Sequence, residues 1–142
     1  MIPGLEKAEF VRLGSIHRNT FIDSPRLLEE SLQLKRHPGL FVAGQITGVE
    51  GYMESTAMGL LSGINAYRFA NARTTVVPPL TTAMGALVHY ITHSQALPFQ
   101  PMNINFGLLP PLPGRSKGRA KRLLLAKRAL KEMGEWRNEV EG

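Results

Sequence analysis

Apolar positions before Gly51 come in short runs broken by Gly and Pro, and after it they return mostly at helical spacing. Phe10, Arg12 and Gly14 alternate with Val11 and Leu13, which predicts a short strand. Ser15 to Asp23 mixes His17, Arg18 and Asn19 with Ile16, Phe21 and Ile22 and reads as a loop or bent strand, closed by a turn at Asp23-Ser24-Pro25. Ser31 to Lys35 alternates as a strand would. His37-Pro38-Gly39 is expected to turn the chain into a second strand, Leu40-Phe41-Val42-Ala43, whose unbroken apolar character predicts burial on both faces.

Gly44 ends that run, and Gly48 and Gly51 punctuate the turn after it, where N–H groups at the head of a helix can approach a bound group closely. The spacing then predicts a helix from Gly51 or Tyr52 to Phe69. Ser55, Gly59 and Gly63 recur on one face of it. Each Gly costs a helix roughly 1 kcal/mol relative to Ala, so close packing against a sheet is expected to offset the loss.

Asn71 to Pro79 reads as a loop. Leu80 to His93 has Met84, Leu87, Val88 and Ile91 at helical spacing, with Thr81 or Thr82 as cap. Gln95 to Pro113 carries five prolines and no helical period, yet holds too many apolar groups for a disordered linker, and is expected to be ordered but irregular. From Ser116 to Val140 the period returns through Leu123, Ala126, Leu130, Met133, Trp136 or Arg137, and Val140, predicting an amphipathic C-terminal helix.

Composition changes this picture in two ways. The 142-residue chain has no cysteine, which removes disulfides, thiolate metal sites and a thiol nucleophile and suits a cytoplasmic protein. No apolar run approaches the ~20 residues that cross a bilayer, so no membrane partner is expected. The net charge of +6 is uneven: from Pro113 onward nine Lys or Arg face four Glu, leaving +5 there. Such a concentration favours a polyanionic partner such as nucleic acid, a solvated helix face being the plainer alternative.

Candidate chemistry is sparse when read residue by residue. Neither G-x-G-x-x-G nor GxxxxGK[ST] is present, so the Gly48–Gly51 turn is as compatible with an ordinary strand-to-helix loop as with a cofactor site. Glu50 suits the positive end of a helix. Tyr52 reads as a core aromatic or a ring stacked on a ligand. His89 and His93 are four apart on the expected helix, but neither they nor His37 belong to a metal-ligand pattern with a third donor in view, and no metal is expected.

Three segments taken together, IPGLEKAEFVRLGSIHRNTFIDSP, LFVAGQITGVEGYMES and FQPMNINFGLLPPLP, resemble the folate- and flavin-dependent tRNA (uracil-5-)-methyltransferase family over essentially the whole chain. GQITGVEGY is shared in looser form with the related tRNA uridine carboxymethylaminomethyl-modification flavoprotein, whereas HRNTFIDSP and FQPMNINFGLLPPL look specific to the methyltransferase.

The resemblance implies an α/β fold, the C-terminal part of a Rossmann-like FAD-binding flavoprotein domain carrying a C-terminal amphipathic helix. Residues 1–112 would be the return of the flavin domain, with 1–35 at the border of an inserted domain, and 113–142 a basic helix packed on it. Such enzymes place a methyl group on C5 of the T-loop uridine, position 54 of tRNA, using 5,10-methylenetetrahydrofolate, FAD and NAD(P)H. Their nucleophilic cysteine and dinucleotide glycines belong to a part not present here, so the chain alone is expected to be inactive, to need the missing N-terminal portion as partner, and to expose apolar surface.

Carried over residue by residue, the resemblance puts Gly44, Gln45, Thr47, Gly48, Val49, Glu50, Gly51 and Tyr52 at the flavin, with His17, Arg18 and Asn19 near the same pocket. Arg115, Lys117, Arg119, Lys121, Arg122, Lys127 and Arg128 become candidates for the tRNA backbone. A non-catalytic tRNA-binding fragment and a flavoprotein oxidoreductase of the same superfamily remain as alternatives.

Overall fold

The computed structural model describes residues 3–4, 6–9, 19–114 and 116–141. The strand expected at Phe10–Gly14 and the candidates His17, Arg18 and Arg115 lie outside the described residues. A helical turn α1 (Ser24–Leu27) is followed by β1 (Gln33–Leu34), β2 (His37–Phe41), a 3-10 turn at Gly44–Thr47, and three helices: α2 (Tyr52–Ala70), α3 (Ala83–His93) and α4 (Gly118–Glu141).

The chain is thus of mixed helix and sheet class, but its strands differ from expectation. β1 and β2 form an antiparallel hairpin with Gln33 opposite Phe41 and Leu34 opposite His37. The hairpin reverses at Lys35 and Arg36, and His37-Pro38-Gly39, expected to be the turn, lies inside β2. β2 is exposed along its length except for the half-buried Phe41, with Leu40 itself 53% exposed, so the apolar run is not a strand buried on both faces. The reason is tertiary: among the described residues no further strand pairs with the outer edge of β2, while the turn end of the hairpin is tied to α1 by Lys35 N donating to Leu27 O and its other end meets α2. There Phe41 meets Phe69 of α2 edge-on at 6.0 Å, and the Phe69 ring covers Gly39, whose φ of +89° favours glycine.

The core lies between α2, α3 and the irregular segment that follows. α2 buries Met58, Leu61, Ser62 and Asn65, a stripe at helical spacing. Those apolar groups join Leu32, Val49, Leu87, Val88, Ile91 and Phe99. Asn65, fully buried, ties three segments together: its Nδ2 donates to Ser31 O and Val76 O, and its Oδ1 accepts from Val76 N. The opposite face of α2 is open. Gly59 and Gly63 have no atom within 4 Å of where a Cβ would stand, so the close packing expected of this stripe is absent among the described residues.

α3 starts where the capping chemistry predicts. The Thr82 hydroxyl accepts from Gly85 N at 3.0 Å and donates to Pro79 O at 2.7 Å. Gly85 sits so close on the Pro78 and Pro79 carbonyls that no Cβ fits. The proline-rich stretch is ordered and irregular as expected: Phe99 is buried, and Met102 pairs with Val49 in an isolated parallel bridge, Met102 N donating to Gly48 O and Glu50 N to Met102 O.

α4 docks along a different line from the one its apolar period suggests. Leu123 and Leu130 are exposed at 56% and 76%, whereas Leu125 is buried. Leu125, Arg128, Glu132 and Trp136 share the docked face: Arg128 donates to Pro110 O and Pro111 O, Thr81 hydrogen-bonds Glu132, and Trp136 packs against the core. Polar groups of this face bond to backbone and side chains that only the folded chain brings there.

Candidate functional site

Two places gather the residues that the sequence singles out: the turn from Gly44 to Tyr52, and the first half of α4. The turn is built from below. Gly44 and Gly48, with φ of +76° and +82°, bracket the 3-10 turn, and Gly51, with φ of +101°, opens α2. Ile22 N donates to Ile46 O and the buried Ser24 hydroxyl to Thr47 O at 2.8 Å, which clamps the segment after Asn19 onto the turn. Asn19 itself is exposed.

Several candidates here serve the fold. Thr47 is fully buried and its hydroxyl donates to Gly44 O; Val49 is a core residue. At Gly48 the Phe99 ring fills the space that a Cβ would take. The Gly48 N–H donates to Gln45 O, and that of Glu50 to Met102 O, so two of the four N–H groups from Gly48 to Gly51 are engaged within the fold.

What remains open is the end of the turn. The first turn of an α-helix has N–H groups with no intrahelical acceptor, and among the described residues no side-chain cap is seen at the Gly51 start of α2. Gln45, Gly51, Tyr52 and Ser55 line a cavity of about 230 Å³ there. Tyr52 is 95% exposed, outside the core that the described residues form. Glu54, overlooked in the sequence because it lies inside the helix, folds its carboxylate over the Cα of Gly51, where a negative group is favoured by the helix dipole. The place suits an electron-rich group, and an arriving one displaces a flexible carboxylate rather than backbone.

The basic segment is a helix end that works against its own dipole. Arg119 and Lys121 stand in the first turn of α4, which has no acidic residue, and the last turn has no basic one. Positive charge at a helix N-terminus is the disfavoured arrangement. Lys117, Arg119, Lys121, Arg122 and Lys127 are exposed, and none is within ion-pair distance of an acid among the described residues. Arg128 departs from the set, because its guanidinium is spent on the Pro110 and Pro111 carbonyls.

A third grouping was not legible in the sequence. Glu30 brings a carboxylate beside His89 and His93, the third donor that their spacing alone did not reveal. Its distance along the chain hides it; only the packing of α1 and its following turn against α3 creates it.

A mixed helix-and-sheet chain with a glycine-opened end at α2 and an exposed cationic start at α4 has two places whose electrostatics suit anionic or electron-rich groups. The model of the family described as glucose inhibited division protein A matches residues 1–74, and the chain belongs to that family. It is also similar to proteins named methylenetetrahydrofolate–tRNA-(uracil-5-)-methyltransferase TrmFO. That of Geotalea uraniireducens is 60% identical over 139 residues, 98% of this chain and 32% of the relative. That of Moorella thermoacetica is 60% identical over 131 residues, covering 92% and 30%, and that of Geobacter sulfurreducens 58% over 136, covering 96% and 31%. The chain spans about a third of the length of the curated relatives it matches. No helix among the described residues is long and apolar enough to cross a membrane.

Proposed function

We propose that this chain is the C-terminal portion of a flavin- and folate-dependent tRNA (uracil-5-)-methyltransferase, supplying one wall of the flavin site and a surface for tRNA backbone. The observation that carries the reading is the 60% identity to the Geotalea uraniireducens protein along 98% of the chain. In this reading residues 1–112 complete a Rossmann-like flavin domain begun elsewhere, and 113–142 add a basic amphipathic helix. The enzyme acts in the cytoplasm, where its tRNA is.

The chain's own residues have three tasks. The uncapped N–H groups at the head of α2, from Gly51 onward, present positive potential to an electron-rich ring edge once Glu54 swings aside. Gln45 and Ser55 offer hydrogen bonds from the walls of the same cavity, and Tyr52 offers an exposed aromatic face. Gly48 and Glu50, through their bonds to Gln45 and Met102, hold that surface in place. FAD, when bound, would relay reducing electrons from NAD(P)H to the one-carbon unit of 5,10-methylenetetrahydrofolate. The exposed cations from Lys117 to Lys127 attract phosphates, and the misplaced charge of α4 is relieved when they do. With no cysteine, the chain holds no thiol for the target base.

The open face of α2 is the docking surface for the remainder of the enzyme. Gly59, Leu60, Gly63, Ile64, Tyr67 and Val140 line a groove of about 500 Å³ on it. A chain one third the length of its relatives is expected to expose such a face, since the missing two thirds must pack somewhere.

Co-purification with the N-terminal two thirds of the Geotalea uraniireducens protein, expressed as a separate polypeptide, tests this. The pair is expected to bind FAD and methylate a tRNA transcript, and this chain alone to do neither. Methyl transfer by the chain alone, or a folded pair that neither associates nor binds flavin, would overturn the proposal. Replacing Lys117, Arg119, Lys121 and Arg122 by Gln is expected to weaken tRNA binding and flatten its salt dependence.

A further inference from the structure

We propose that Glu30, His89 and His93 form a surface site for one divalent transition-metal ion, zinc in the first instance. The inference is independent of the flavin reading and uses none of its residues.

The donors come from two elements that packing holds rigidly. His89 and His93 stand one turn apart on α3, whose inner face buries Gly85, Ala86, Leu87, Val88, Ile91 and Thr92. Their rings stack at 4.4 Å with planes 18° apart. Glu30 stands in the turn after α1, a turn fixed by Glu29 N donating to Gln33 O, by Leu32 N donating to Glu29 O and by the bond from Asn65 to Ser31 O. Leu32, fully buried with a φ of +67°, anchors it from below.

The distances fit an ion pair and equally the donor set of a metal ion. Nδ1 of His89 lies 3.5 Å and Nδ1 of His93 3.6 Å from the same Glu30 Oε1. Those gaps exceed the ~2.7–3.2 Å of an N–H···O hydrogen bond. They match the edge of a ligand tetrahedron, about 3.3–3.6 Å for bonds of about 2.0–2.2 Å to zinc. One donor atom from each of the three residues falls within 4.8 Å of the others. Two imidazoles and a carboxylate form a donor set that zinc accepts with a fourth position left open. All three side chains are roughly half exposed, so that position faces water or an incoming donor. The Thr92 hydroxyl lies 2.9 Å from His93 Nδ1 and donates to Val88 O; ligation through Nδ1 replaces the first contact and leaves the second.

The test uses the whole 142-residue chain, stripped with chelator and titrated calorimetrically with zinc chloride, with Co²⁺ as spectroscopic probe. One ion per chain is expected, with Glu30→Gln and His93→Ala each weakening it about tenfold or more and His37→Ala leaving it unchanged. Circular dichroism verifies the fold of each variant. In the unmodified chain, Co²⁺ is expected to broaden the ring resonances of His89 and His93 ahead of those of His17 and His37, a readout that needs no variant to fold. Absence of binding at micromolar zinc, Glu30→Gln and His93→Ala chains that bind as tightly as the unmodified chain, or broadening centred on His17 or His37 each overturns the site.

Discussion

Gly48 and Gly85 are surrounded, while Gly59 and Gly63 stand in the open, although all four look alike as small residues in or beside helices. A side chain at Gly85 would overlap the carbonyl oxygens of Pro78 and Pro79, and one at Gly48 the Phe99 ring. At Gly59 and Gly63 nothing lies within 4 Å. The first pair makes the inner packing of this chain possible. The second pair lowers helix stability with no compensating contact among the described residues, which is what a surface made for another body would show.

Substitutions break this comparison in opposite directions. Gly85→Ala and Gly48→Ala are expected to have the largest effect, each destabilising the chain by about 2–4 kcal/mol, the former through backbone overlap and the latter also through its positive φ. Urea denaturation measures it, and a loss below about 0.5 kcal/mol at either site would contradict the packing described. The double change Gly59→Ala with Gly63→Ala should instead stabilise the isolated chain, by about 1–2 kcal/mol in total, through helix propensity. The same double variant should bind the N-terminal portion more weakly than the unmodified chain in a pull-down; unchanged binding removes the docking role of this face. Thr82→Ala, which takes away the cap of α3 beside Gly85, is expected to cost about 1 kcal/mol by thermal unfolding. Smallest is Leu60→Gln on the open face, within about 0.5 kcal/mol of neutral in the isolated chain.

The turn at Gly44–Tyr52 shows how far residue types alone carry a site. Its glycines and its place before a helix are visible in the sequence, and the uncapped helix end follows from them. Which glycine serves the fold and which the surface is not visible, because Phe99 and Met102 reach the turn from a distant proline-rich segment. Arg128 is a similar case: among seven basic candidates it reads as one more phosphate contact, and the Pro110 and Pro111 carbonyls claim it.

Local chemistry determined the three long helices, since 3.6-residue spacing, the Thr82 cap and the flanking prolines act within a few residues of each boundary. The concentration of positive charge at the head of α4 is likewise a property of the sequence. Tertiary structure alone decided that the Leu40 run is an exposed hairpin strand, that Leu125 rather than Leu130 is buried, and that Glu30 faces His89 and His93. The physical reason is range: a helix closes its hydrogen bonds four residues away, whereas burial and side-chain clusters depend on which distant surfaces meet.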